Sequence, residues 1–269
     1  MHGLGNDFVV FNGINQSINF TQNQLRHIAD RHYGIGCDQI LLVEAPISSD
    51  ADFRYRIFNA DGSEVAQCGN GARCFARFVH DKNLTDKNPI LVDTESQQLL
   101  LHLSKDNQVT VDMGVPKFEP AEIPISAQPN TGLYELTIGQ QTYQFGAVSM
   151  GNPHAVLLVD DINSAPVNTL GSAMEQHSIF PERANIGFMA ILDRQHIAVR
   201  VFERGAGETL ACGSGACAAI AIGVERDLLD NHVTVRLTGG ELSLVWPGRQ
   251  HSVMMTGPAT SVFDGIIRI

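Results

Sequence analysis

The stretch QCGNGARC at 67–74 has a near copy, ACGSGAC, at 211–217, and the pair decides how the chain divides. Laying Cys68 on Cys212 requires a shift of 212 − 68 = 144 residues, and the match continues upstream at that shift. FNADGSEVAQCGNGA then reads against FERGAGETLACGSGA. Phe58 falls on Phe202, Asn59 on Glu203, Glu64 on Glu208 and Ala66 on Leu210. Further out the shift drifts to 146, which pairs GNDFVVF from Gly5 with GNPHAVL from Gly151, and Gln39-Ile40 with Asn185-Ile186. Two copies of this length are too few and too long for a solenoid, so they read as duplicated domains.

The local pattern is the same in each half. DFRYRIFN (52–59), QLLLHLS (98–104), NQVTVDM (107–113), HIAVRVFE (196–203) and HVTVRLT (232–238) are short, rich in β-branched or aromatic residues, and bounded by turn residues, which predicts strands. After each Cys-Gly-x-Gly the pattern changes to ARCFARFVHDKNL or ACAAIAIGVERDLL. These are helix formers with apolar residues around most of the circumference, which predicts two buried helices. TQNQLRHIADRHYG reads as an outer helix with Thr21 as its N-cap. The expected class is α+β: two similar domains, 1–112 and 113–269, each a mostly antiparallel, barrel-like sheet around one central helix. They join near 110–143, where VPKFEPAEIPI and AQPNTG are rich in Pro and turn residues. The C-terminal tail is expected to pack back on the first domain.

Composition narrows the function. The formal charge is 18 − 29 = −11 and there is no run of Lys or Arg, which argues against nucleic acid and anionic membrane as partners. The start, MHGLGNDF, lacks the basic and apolar segments of a secretory signal, and no apolar run approaches a membrane span, so the expected location is the cytoplasm. Five cysteines in such a chain are expected to stay reduced. The spacings Cys-x5-Cys and Cys-x4-Cys on helix do not resemble zinc knuckles, so no metal is expected.

A cysteine just ahead of a glycine-rich turn that opens a helix sits among unpaired N–H groups at the positive end of the helix dipole. That placement favours thiolate, and the glycines allow a substrate carboxylate to approach the same N–H groups. One such cysteine is ordinarily a small buried hydrophobe. Two in mirrored frames, Cys68 and Cys212, point instead to a paired chemistry, with one thiol on each face of a carbon. Cys37, Cys74 and Cys217 lack mirrored context and read as core. Glu203 lies opposite Asn59, and His154 opposite Phe8, so only the second half carries these titratable groups. Each is a candidate to take or tune a thiol proton; the bland alternatives are a surface salt bridge and a turn histidine.

HGLGNDF, FNADGSEVAQCGNGARC, MGNPHAV, ANIGF, VFERGAGETLACGSGACA and the closing FDGIIRI together resemble the diaminopimelate epimerase family along essentially the whole chain. The resemblance implies a cofactor-independent isomerase that interconverts LL- and meso-diaminopimelate, a small-molecule substrate, in lysine and peptidoglycan precursor synthesis. It implies Cys68 and Cys212 as the thiolate and thiol, with His154 and Glu203 assisting. Asn6, Gln39, Asn59, Asn152, Asn185 and Arg204 are implied as substrate contacts, with the turns Gly69-Asn70 and Gly213-Ser214. A homodimer is also implied. Relatives of this type carry a few residues ahead of the MHGLGNDF equivalent, and many have Tyr where this chain has Phe263. The alternatives are a proline- or hydroxyproline-type racemase and a non-catalytic amino-acid-binding protein.

Overall fold

A computed structural model describes residues 1–65, 68–95, 97–104, 106, 108–129 and 132–268. Ala66 and Gln67 of the repeat frame, Asn107 of the NQVTVDM segment, Asn130 and Thr131 of AQPNTG, and Ile269 of FDGIIRI lie outside the described residues. The chain divides into two compact units, Met1–Asp112 with Thr256–Ile269, and Met113–Met255.

The first unit runs β1 (His2–Gly3), β2 (Asn6–Asn12), α1 (Gln22–Ala29), β3 (Gln39–Glu44), β4 (Phe53–Asn59), β5 (Glu64–Val65), α2 (Gly69–Asp81), β6 (Ile90–Asp93), β7 (Gln98–Leu103) and β8 (Gln108–Asp112). The second runs β9 (Tyr134–Ile138), β10 (Gln141–Ser149), β11 (Pro153–Leu158), α3 (Val167–Glu175), β12 (Asn185–Asp193), β13 (His196–Glu203), β14 (Gly207–Glu208), α4 (Gly213–Glu225), β15 (His232–Leu237) and β16 (Gly240–Val245). The chain returns to the first unit within β17 (Met254–Pro258).

Strand pairing repeats from one unit to the other. In the first, β2 is parallel to β3, β3 antiparallel to β4, β4 parallel to β6, and β6 and β7 continue antiparallel. In the second, the same sequence of pairings links β11, β12, β13, β15 and β16. Each unit is therefore mostly antiparallel with two parallel joints, and each joint is a crossover that contains a helix, α1 and α2 or α3 and α4. The registers carry the outer repeat: Phe8 pairs with Gln39 where His154 pairs with Asn185, both displaced by 146. One strand later Ile40 pairs with Phe58 and Ile186 with Phe202, a change to 144. The drift is thus a two-residue shortening in the β12–β13 connection.

The cysteine-led helices are the centres of their units. α2 contacts β1, β2, β3, β4, β7 and β8, and α4 contacts β10, β11, β12, β13 and β16, so each sheet wraps around its helix. In α4 every residue from Gly215 to Gly223 is buried, which the small, apolar sequence GACAAIAIG permits without polar groups to satisfy. α2 emerges at its C-terminal end, where Arg77 and Asp81 pair at i,i+4. α1 begins at Thr21 with a reciprocal capping box to Gln24 and buries Leu25, Ile28 and Ala29.

Candidate active site

Cys68 and Cys212 hold the N-cap positions of α2 and α4 in extended conformation, with φ −147° and −111°. The first helical bonds run from Ala72 N to Cys68 O at 2.8 Å and from Ala216 N to Cys212 O at 3.0 Å. The N–H groups of 69–71 and 213–215 therefore fall outside the helical ladder and form, in each unit, a donor cluster at the positive helix end beside a sulfur.

The second glycine of each motif has a structural duty that the sequence did not reveal. A Cβ on Gly71 would lie 2.2 Å from Tyr55 Oη, and one on Gly215 would lie 2.7 Å from Val201 Cγ2 and 3.2 Å from Cys212 Sγ. Each glycine lets the first helical turn press against its neighbouring strand, β4 or β13. Tyr55, fully buried, donates its hydroxyl to Cys68 O at 3.3 Å and so ties that strand to the cysteine.

A second repeated device precedes each cysteine. Arg56 Nε and Nη2 meet the two carboxylate oxygens of Glu64 at 2.7 Å each; Arg200 meets Glu208 in the same fork at 2.6 and 3.0 Å. Both glutamates stand four residues ahead of their cysteine, so each bidentate pair fastens the approach segment to the strand that carries Asn59 or Glu203. Sequence reasoning found the glutamates and missed the arginines, although 200 − 56 = 144 is the same shift.

In the first unit, Asn6 Oδ1 accepts from Asn70 Nδ2 at 3.2 Å and from the Cys68 thiol at 3.8 Å. Gln39 Nε2 donates to Asn59 Oδ1 at 2.9 Å, and Asn59 Nδ2 donates to Ser63 Oγ at 3.2 Å. The predicted residues Asn6, Cys68 and Asn70 thus form one cluster, and Gln39 and Asn59 orient one another across β3 and β4.

In the second unit, Cys212 is 3% exposed, and burial, followed by the nearby Glu203 carboxylate, pushes its thiol well above the ordinary range. The Ser214 hydroxyl, 3.7 Å from Sγ, and the Gly215 N–H pull the other way without prevailing. At Cys212 burial thus acts against the thiolate that a helix end favours. Glu203, which also accepts the Thr209 hydroxyl, is close enough to act on the thiol proton.

His154 is no turn residue. It lies in β11, 1% exposed, with Nε2 and Asn152 Oδ1 2.9 Å apart and Nδ1 without a hydrogen-bond partner among the described residues. Burial, helped by the Arg204 charge, lowers its pKa to about 3. The neutral ring must then donate from Nε2 to Asn152, which leaves the Nδ1 lone pair as an acceptor. Asn185 donates to Pro153 O at 3.0 Å and accepts from Arg204 N at 3.0 Å; the Arg204 guanidinium reaches Glu182 O at 3.1 Å. His154, Asn152, Asn185 and Arg204 thus meet through adjoining ends of β11, β12 and β13. Cys37, Cys74 and Cys217 are buried, and burial pushes Cys37 up to about 11 and Cys74 to about 12, as inert core thiols require.

Comparison with known proteins identifies the fold and the family. A proven structure, a hydroxyproline epimerase from Agrobacterium vitis with bound trans-4-hydroxy-L-proline, aligns with a TM-score of 0.68 at 15% identity, covering 96% of this chain and 87% of that one, which shows a shared fold. Two proteins named diaminopimelate epimerase are much nearer in sequence. That of Nitrosospira multiformis is 54% identical over all of this chain and 97% of its own length; that of Teredinibacter turnerae is 55% identical over all of this chain and 98% of its own. The family profile described as diaminopimelate epimerase matches residues 1–119 and 146–262, which include both cysteine motifs. The chain belongs to the diaminopimelate epimerase family.

Proposed function

We propose that the protein interconverts LL- and meso-2,6-diaminopimelate by moving one α-proton between two thiols, without a cofactor, in lysine and peptidoglycan precursor synthesis. The observation that carries the reading is the pair of cysteine-capped helices, one in each of two matching units. Full-length relatives at 54% and 55% identity support this substrate over proline.

Inversion by this route requires both sulfurs to reach one α-carbon from opposite faces. One thiolate takes the α-proton as the C–H bond breaks, and the opposing S–H delivers its proton to the other face. The enzyme ends with its thiol and thiolate exchanged, and product release with proton exchange restores the starting state. Glu203 takes the Cys212 proton when that side must act as base. The helix-end N–H groups of Gly69, Asn70, Gly213 and Ser214 bind the reacting carboxylate and stabilise the negative charge that builds on it in the transition state. His154 stays neutral and offers Nδ1 as a hydrogen-bond acceptor. Arg204 fixes the distal carboxylate, while Asn6, Gln39, Asn59, Asn152 and Asn185, each oriented by hydrogen bonds within its own unit, read the amino groups and their stereochemistry.

The protein works in the cytoplasm as a homodimer in this reading. Among the described residues no helix is long and apolar enough to cross a membrane, and the tail exposes Val262, Phe263 and Ile266, the last 98% accessible. Chiral chromatography after incubation with LL-diaminopimelate, L-proline and trans-4-hydroxy-L-proline tests the substrate. Conversion of diaminopimelate alone supports the proposal; conversion of a proline alone moves the protein to that reaction, and calorimetric binding without conversion makes it a binding protein.

A further inference from the structure

Asn6 meets Cys68 with its oxygen, and the reason lies one residue further out. Asn6 Nδ2 donates to Asp38 Oδ2 at 2.9 Å, and a carboxylate can only accept. That bond settles which end of the amide faces Asp38, so Oδ1 must face Cys68 and Asn70. Asp38 is in turn held from three sides. Arg31 Nη2 reaches Asp38 Oδ1 at 2.8 Å while the same guanidinium forks onto Asp7 at 2.8 Å twice; Asp7 N donates to Asp38 Oδ2 at 3.1 Å; and Asp38 N donates to Asp7 Oδ1 at 2.7 Å.

We infer that Asp38 is a positioning residue for Cys68: by fixing the Asn6 amide, it presents an acceptor oxygen to the sulfur and so holds the proton on Cys68. An oxygen lone pair 3.8 Å from sulfur accepts from S–H and repels S⁻. The consequence rests on the reading that Cys68 is one of the two reacting thiols, because the arrangement sets which protonation state that thiol favours before substrate arrives. Around Cys68, Tyr55 on β4 and Cys74 on α2 are both pushed up by burial, the buried Arg73 on α2 directs Nε to Pro258 O at 3.1 Å, and Asp7 and Arg31 hold Asp38. The positive charge of Arg73 favours thiolate on this side of the helix, so the Asn6 oxygen opposes it and the test reads the change that Asp38 alone makes.

The test reads the thiol directly and needs no turnover. Iodoacetamide alkylation of Cys68 and Cys212 is followed peptide by peptide by mass spectrometry from pH 6 to 10, in the parent, in Asp38→Ala and in Asp38→Asn, with circular dichroism to certify folding. In Asp38→Ala the pH of half-maximal Cys68 alkylation falls by about one unit, the size of one charge-assisted hydrogen-bond term, while that of Cys212 stays put. Simple loosening of the loop would raise the plateau rate and leave the midpoint alone. In an Asn6→Leu background the Asp38→Ala shift disappears, because the effect passes through Asn6. Asp38→Asn keeps an acceptor for Asn6 Nδ2 and should leave the midpoint near that of the parent. Should Asp38→Ala fail to fold, Asn6→Ala, which removes the acceptor oxygen itself, carries the same comparison and should lower the Cys68 midpoint. An unmoved Cys68 midpoint in folded Asp38→Ala or Asn6→Ala, a shift shared equally by Cys212, or a shift that persists without Asn6 overturns the inference. Each reading stands whether or not diaminopimelate is the substrate.

Discussion

Replacing Gly71 by Ala tests how the first cysteine is positioned. The new Cβ would stand 2.2 Å from Tyr55 Oη, 3.3 Å from Leu41 Cδ2 and 3.4 Å from Ile57 Cδ1. Tyr55 cannot retreat easily, since it is 1% exposed and its ring lies 5.0 Å from that of Phe75. Overpacking of this kind costs about 1–3 kcal/mol. Loss of the Tyr55 hydroxyl bond to Cys68 O adds about 0.5–1.5 kcal/mol. Against this, Ala in place of Gly within a helix gains roughly 1 kcal/mol. The net expectation is a loss of about 0.5–3.5 kcal/mol, read in a calorimeter as a fall in melting midpoint of about 2–4 °C per kcal/mol for a chain of this size. Because the displaced hydroxyl is bonded to the N-cap residue, kcat should fall with it. Adding Tyr55→Phe removes the oxygen that clashes, so Gly71→Ala/Tyr55→Phe should melt above Gly71→Ala. A Gly71→Ala protein as stable as the parent, or a double variant no better than the single, would refute the close-approach reasoning.

Other expectations follow from the same geometry. Cys68→Ala and Cys212→Ala should each abolish inversion, whereas Cys37→Ala should retain it; a racemisation assay on the three purified variants decides. Arg56→Met and Arg200→Met should each lower kcat with a modest stability loss of about 1 kcal/mol, as partly exposed forks allow; rates equal to the parent would show that the approach segments hold their place without them. His154, lowered to about 3 from an ordinary 6.5, keeps the folded state from binding a proton that the unfolded chain accepts. Its contribution is complete above pH 6.5 and is lost as pH falls towards 3, by at most about 1.4 kcal/mol per pH unit. In His154→Gln the acid side of a stability-against-pH curve, measured by denaturant titration, should be shallower by up to one proton, and an unchanged slope would contradict a neutral buried ring.

Much of this was legible because the duplication prints each feature twice. The two Cys-Gly-x-Gly motifs located both central helices, and the drift from 144 to 146 is matched by the registers Phe8–Gln39 and His154–Asn185. What stayed hidden depends on three-dimensional surroundings. Burial, first among the causes that raise the Cys212 thiol, is what a sequence does not give. Gly71 and Gly215 read as openings for a ligand, and only the strand beneath each shows that they are also contacts within the unit. Arg56 and Arg200 alternate along strands as ordinary polar positions until their forks onto Glu64 and Glu208 are seen. Asp38 offers no motif of its own, because its effect reaches Cys68 through an amide whose orientation no sequence records.

The central claim is that two thiols act on opposite faces of one α-carbon, and the initial phase of the reaction in D2O tests it most directly. LL-diaminopimelate is incubated with the reduced protein, and both stereoisomers are isolated at low conversion and weighed for deuterium. The account predicts that nearly every new meso molecule carries one deuterium at the inverted centre, while the remaining LL pool is still almost unlabelled. Product that keeps its original hydrogen would mean that a single group removes and returns the same proton, and would contradict the two-thiol mechanism.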